Sequence, residues 1–189
     1  ALIATLNSYA DNPTPNEKIM ERVMVVGSKN NINNIPGSAA FIDKRQLEKN
    51  DYTDIHRILK QVPGVHINEE DGFGSRPNIG FRGGRNERSA DITLMEDGVL
   101  IAPAPYSASS AYYFPNRNRM ESVEVRKGSS TTEIGPKTTS GALNLITKSM
   151  PDKLQLDGMV GYGSFTTHKE QITHGNKLGN WSYLINAAN

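Results

Sequence analysis

Four arginines, Arg76, Arg82, Arg85 and Arg88, surround the glycine pair Gly83-Gly84 in this sequence. A guanidinium offers a planar fork of N–H donors that holds carboxylates and phosphates through paired hydrogen bonds, so the stretch suits an anionic ligand. Glu87 and Asp91 stand among the arginines and could claim some of them as ion-pair partners. On that balance Arg88 is the candidate ligand contact, and Arg82, set against the glycines, reads as architectural. The stretch fails as a phosphate loop, having neither Gly-Lys-Ser/Thr nor Gly-x-Gly-x-x-Gly. As an Arg-Gly RNA-binding tract it is a single copy without interleaved aromatics. A second candidate surface is "APAPYSASSAYYFPNRN", where Pro103 and Pro105 stiffen a loop carrying Tyr106, Tyr112 and Tyr113. Tyrosine supplies flat amphipathic contact area at low entropic cost, whether for a ligand or packed against a wall of protein.

No set of side chains reads as a catalytic centre. Of the histidines only His168 and His174 are near one another, and their spacing fits neither a helical i, i+4 metal pair nor a zinc finger. Glu69-Glu70-Asp71 could meet a cation but lacks the EF-hand pattern and reads as a solvated loop. No serine lies in Gly-x-Ser-x-Gly, and no nucleophile has a visible base. Cys 0 excludes disulfides, thiolate metal sites and a cysteine nucleophile. The expectation is a protein that is not an enzyme, with no catalytic residues, no metal site and no cofactor.

The scaffold for these residues follows from composition and period. A chain of 189 residues is long enough for one ordinary domain with a real core. Apolar residues at 36% and charged residues at 22% suggest neither disorder nor a helical membrane protein. No run approaches the roughly 18 apolar residues of a membrane-spanning helix. Lys+Arg at 21 against Asp+Glu at 20 leaves no basic field for nucleic acid. Asp43-Lys44-Arg45-Gln46 fits a capping box and predicts a short helical turn. Ile55, Ile58, Leu59 and Val62 then follow helical spacing, with Thr53 or Asp54 as cap and Pro63-Gly64 as stop.

Beyond that helix the period becomes two. Val65/Ile67, Ile92/Leu94, Val123/Val125 and Leu143/Leu145 predict short strands bounded by turn residues. Residues 41–149 therefore read as a small α+β domain with a mixed sheet of four or so strands and short helices. Its long loops, 68–90 and 98–119, are the places for function. From Lys153 onward, Leu154, Leu156, Val160 and Tyr162 alternate with polar residues and glycine, and Trp181, Tyr183 and Ile185 share a face. That dyad period with aromatics is how transmembrane β-barrel strands read, and "TTHKEQITHG" between them makes a poorer strand. Three strands cannot close a barrel, and an open edge cannot lie in lipid.

The N-terminal region has a different character. Residues 1–10, "ALIATLNSYA", resemble the tail of an export signal, with small residues where a signal peptidase cuts. Residues 11–40 read as a flexible polar arm holding one isolated strand-like stretch, "ERVMVVG", at residues 21–27.

Several ordered segments carry a family resemblance: "LKQVPGVHI", "IGFRGG", "ITLMEDGVLIAPAPY", "MESVEVRKG" and "EIGPKTTSGALNLITK". In this order they resemble the plug domain of TonB-dependent outer-membrane receptors, over about residues 20–150 (residues 150–189 looking like the first strands of the family's barrel). The "LM-DG" and "APY" residues and the "IGP" turn are most similar to ferric citrate receptors. The chain departs from the family in having Lys127-Gly128 where Arg-Gly is usual, and Ile134 where an aromatic is common. Lysine keeps a cation but loses the planar fork.

The resemblance implies a plug inside a barrel of about 22 strands in the outer membrane of a Gram-negative bacterium. It implies a ferric chelate, citrate first, bound on apical loops by Arg76, Arg88, Tyr106 and Ser107. Contacts between plug and barrel would use Arg82 and Lys127. The partner would be the C-terminal domain of TonB, gripping a TonB box at Glu21, Arg22, Val23, Met24, Val25 and Val26. Adding a strand to a sheet edge through main-chain hydrogen bonds suits such a box. Alternatives are a secreted ligand-binding module without a barrel, or a receptor for another siderophore, haem or cobalamin.

Overall fold

The computed structural model describes residues 3–7, 24–50, 54–70, 74, 76–101, 114–128, 131–132, 134 and 139–189. Their elements run β1 (Ile3–Asn7), β2 (Ser38–Ile42), α1 (Lys44–Asn50), α2 (Ile55–Leu59), β3 (Val65–Ile67), β4 (Ile79–Phe81) and β5 (Ile92–Glu96). There follow β6 (Val99–Leu100), β7 (Met120–Lys127), β8 (Gly141–Thr147), β9 (Gln155–Tyr162), β10 (His168–Leu178) and β11 (Trp181–Ala188). They fall into two units, one within residues 21–148 and the other comprising residues 149–189 with β1.

In the first unit, local chemistry starts both helices. Asp43 Oδ1 accepts the Gln46 N–H at 2.8 Å while Gln46 Oε1 accepts the Asp43 N–H at 3.1 Å, a reciprocal capping box. Asp54 caps α2 by accepting the His56 N–H at 2.8 Å. The chain then turns at Gly64, whose φ of 75° is open to glycine without strain.

The sheet of this unit has five strands in the order β2-β7-β8-β5-β6, with β5 and β8 parallel and the other neighbours antiparallel. Three of the four expected strands are in it. The fourth, Val65–Ile67, pairs instead with β4 as a separate two-stranded ribbon. Its place is taken by β2, whose "SAAFI" holds too few β-branched residues to read as a strand, and by the two-residue β6. Asp97 and Gly98 both have positive φ, at 49° and 81°, which makes the tight turn that folds β6 back on β5.

Register assigns the faces of this sheet. Ala40, Val125, Leu143 and Leu94 form one cross-strand row, and Ile42, Val123 and Leu145 belong to the same face. They pack with Leu47, Ile58, Leu59, Val62, Ile79 and Phe81 into an apolar core. On the opposite face Phe41, Glu124, Asn144 and Met95 form a row, covered by Val25, Val26, Ile32, Ile35 and Ile134. The arm expected to be loose therefore supplies, from residue 25 to residue 35, part of the cover of a sheet face.

In the second unit β9, β10 and β11 are consecutive antiparallel strands, and β1 pairs with the outer edge of β9 from Ile3↔Gly161 to Asn7↔Asp157. Ile3–Asn7, within the segment expected to be a leader remnant, is thus a strand. Leu156, Val160, Tyr162, Ile172, Trp181 and Ile185 are exposed on one face. Asp157 and Gln155 are bonded to each other on the other face, as are Thr173 and Asn186. Of "TTHKEQITHG", expected to be the poor strand, all but Thr166 and Thr167 lie in the eleven-residue β10, the longest described strand. It is central, and pairing on both sides supplies the order that its weak pattern does not.

Candidate functional site

The box residues Glu21, Arg22 and Val23 lie outside the described residues. Met24 to Gly27 are described and form no strand: the chain bends at Val25 and Val26, which are buried, with Met24 half exposed. Their backbone is held by a carboxylate. Glu124 Oε2 accepts the Val25 N–H at 2.8 Å, and Glu124 Oε1 accepts the Gly27 N–H at 2.6 Å. Asn144 Nδ2 donates to Glu124 Oε2 at 3.0 Å, and Asn144 Oδ1 accepts the Gly98 N–H at 2.9 Å. Glu124 and Asn144 are both fully buried. A carboxylate taken from water is costly unless its oxygens are satisfied, and here both oxygens are. Sequence reasoning overlooked both residues because Glu124 alternates with Val123 and Val125 in β7, and Asn144 with Leu143 and Leu145 in β8, which reads as a solvent face.

Around the arginine cluster the structure builds one tight loop. Buried Asn78 accepts the Arg88 N–H on Oδ1 at 2.7 Å and donates from Nδ2 to Glu70 at 2.8 Å. The buried hydroxyl of Ser89 accepts the Ile79 N–H at 3.1 Å and donates to the Pro77 carbonyl at 3.0 Å. These bonds hold Arg88 and Ser89 at φ of 50° and 53°, a left-handed conformation that L-residues adopt at a cost. The Arg88 side chain is exposed, and Arg76 faces Glu70 at 3.8 Å. Arg85 is committed elsewhere, gripping Asp91 through Nη2 at 2.9 Å and through its own backbone N–H at 2.9 Å. That side-chain hydrogen bond holds the Asp91 carboxyl below its usual range and raises the Arg85 guanidinium. Glu69 is paired with Lys60 and Arg57, and its hydrogen bond from Lys60 lowers its pKa. Tyr106 and Ser107 lie outside the described residues.

Arg82 and Lys127 come together near the Pro63-Gly64 turn. Arg82 has φ of 50°, its N–H donates to the Gly64 carbonyl at 2.9 Å, and a Cβ on Gly128 would meet its Nη1 at 2.9 Å. Lys127 is buried, with its ammonium donating to the Pro63 carbonyl. Burial, and then the Arg82 charge, push the Lys127 pKa down. Among the described residues neither cation has a carboxylate partner, so the pair forms a concentrated positive site.

The histidines have structural surroundings. His56 is buried, its Nδ1 3.1 Å from Asp54 Oδ1 and its ring against Phe114 at 4.8 Å. His66 Nε2 lies 2.9 Å from the Gly84 carbonyl, and His174 stacks on Tyr183. Among the described residues no three His, Asp or Glu side chains converge as a metal site would need.

The chain matches the family model described as TonB-dependent Receptor Plug Domain over residues 31–142. An iron-regulated outer membrane virulence protein of Vibrio cholerae serotype O1 is 27% identical over 170 residues, covering 84% of this chain and 24% of that protein. A vitamin B12 transporter, BtuB, of Vibrio vulnificus is 28% identical over 127 residues, covering 67% of this chain and 20% of that protein. Among solved structures, the ferric citrate transporter FecA in its unliganded form superposes with TM-score 0.58 at 18% identity, over 80% of this chain and 27% of that one. The chain spans about a quarter or less of the length of these relatives.

Proposed function

Because this chain belongs to the TonB-dependent receptor plug family, we propose that it is the plug region, with the first barrel strands, of an outer-membrane transporter that binds a ferric chelate and gates its energy-coupled import. The observation that carries the reading is the succession, in one chain, of a plug-family α+β unit and an antiparallel sheet with alternating apolar and polar faces. A relative named for iron regulation and a structural neighbour named for ferric citrate support an iron cargo. Ferric citrate is the first candidate, since a carboxylate-rich chelate is what exposed guanidinium groups such as Arg88 and Arg76 would attract. The relative named as a vitamin B12 transporter favours cobalamin as the second cargo to try.

In this reading Arg76, Arg88, Tyr106 and Ser107 meet the chelate, while Arg82 and Lys127 face carboxylates of the barrel wall. Residues 21–26 are the TonB box, captured by the C-terminal domain of TonB as an added strand. The iron is cargo, and no resident cofactor or chemical step is involved. Titrating the complete receptor with ferric citrate and with cyanocobalamin tests the cargo: saturable binding of ferric citrate, weakened at least tenfold by Arg88→Ala, is expected from loss of a charge-assisted contact. Binding of cobalamin alone would replace the cargo assignment. For the box, Val25→Pro removes a ladder donor and should abolish capture by the purified TonB domain. Capture unaffected by that change would end the box assignment.

A further inference from the structure

We propose that Glu124 is a latch that holds residues 24–27 against the sheet, and that Asn144 ties this latch to the turn at Gly98. The inference deepens the reading of residues 21–26 as a segment gripped by a partner strand, because such gripping needs free main-chain donors. In this structure the Val25 N–H is already taken, by Glu124 Oε2 at 2.8 Å, and the Gly27 N–H by Oε1 at 2.6 Å. The latched state and full engagement of Val25 by another sheet therefore exclude each other.

The chemistry under residues 24–27 is what a reversible cover needs. Glu124 sits in mid-strand, directly opposite Asn144, among Met95, Ala142, Val25 and Val26. An apolar residue would satisfy those neighbours by packing alone, so the carboxylate is there for its hydrogen bonds. Two of its three come from the backbone of residues 25 and 27, far away in sequence, and are made only while that segment is down. With the segment lifted, water can serve the same oxygens, and the apolar contacts of Val25 and Val26 are what lifting gives up.

Asn144 extends the latch across the sheet. It gives one hydrogen to Glu124 and takes the Gly98 N–H on its other end. Beside Gly98, Asp97 accepts the Thr147 N–H at 3.0 Å and the Thr147 hydroxyl at 2.5 Å, which anchors the turn to the strand that carries Asn144. A shift of the turn therefore alters what Asn144 can offer Glu124, and through it the hold on residues 24–27.

Amide hydrogen exchange in the whole chain tests this. Glu124→Gln keeps the shape but replaces one of the two acceptor oxygens with an NH2 group, which donates and cannot accept. It should speed exchange at Val25 and Gly27 by about tenfold or more while the Val123 and Leu145 amides keep parental rates. Asn144→Ala should give a smaller acceleration, about threefold, at the same two amides. Parental rates at Val25 and Gly27 in Glu124→Gln would overturn the latch. So would acceleration shared equally by Val123 and Leu145, which would make Glu124 a residue of the fold itself. Parental rates in Asn144→Ala would remove the tie to Gly98. Failure of TonB capture by Glu124→Gln, whose residues 24–27 are released, would overturn the box assignment without touching these rates, so the two ideas fail separately.

Discussion

The two faces of the five-stranded sheet are both covered, but by different chemistry. One presents Val123, Val125, Leu143, Leu145 and Leu94 to two helices and a ribbon, with the buried Lys127 at the end of the same face of β7. The other places Glu124 and Asn144 at its centre beneath a segment that precedes the first strand of that sheet. Apolar contact has no replacement in water, so the first cover is built to stay. Hydrogen bonds to a carboxylate can be exchanged for bonds to water, so the second cover, which also buries Val25 and Val26, is held partly by bonds that water can replace. In one layer the same backbone ladder supports a cover held by apolar contact and one that adds hydrogen bonds to a buried carboxylate.

Substitutions on the two faces should separate accordingly. Leu143→Ala, on the permanent side, should cost about 3 kcal/mol in urea unfolding, since the core around it relaxes only partly. Asp43→Ala removes the cap of the helix that carries Leu47 into that same core, and should cost about 1 kcal/mol of global stability. Val26→Ala, in the cover of the other face, should cost only about 0.5–1 kcal/mol globally, because its segment can settle into the space left. A Val26→Ala as damaging as Leu143→Ala would erase the distinction between the faces.

The smallest effect belongs to a surface pair on neither face. The Arg85 hydrogen bond lowers the Asp91 pKa, so the folded state binds its proton less readily than the unfolded chain. Its stabilisation is therefore present above the ordinary carboxylate pKa, near about 4, and fades as pH falls through the lowered value. Melting temperatures of parent and Asp91→Asn should differ slightly at neutral pH and converge in acid. A difference that grew on acidification would contradict the sign. The exposure of Arg85 keeps the effect modest.

Much of the scaffold was legible because its causes are close together in sequence. The Asp43/Gln46 capping box, the Asp54 cap and the Ile58, Leu59, Val62 stripe all appear where spacing predicted them. The competition between ligand and ion pair at the arginines was also visible, and for Arg85 it is resolved in favour of Asp91. Asn78, which shapes the Arg88 loop, gave no signal, since a single asparagine between Pro77 and Ile79 looks like any turn residue. The separation of Val65–Ile67 from the main sheet was equally hidden, as alternation marks a strand without naming its neighbour.

Sequence by itself determined which residues start helices, which side chains share a face and which segments resemble a plug, while α2 ends at Leu59, ahead of the Pro63-Gly64 stop that spacing predicted. Those are matters of local spacing and of side-chain chemistry within a few residues. Tertiary structure alone decided that Val25 and Val26 are buried, that Glu124 faces a cover and not water, and that Arg82 and Lys127 stand together. The physical reason is that period two tells which residues point the same way, but what lies above them is set by contacts across the chain, here between residues 99 apart in sequence.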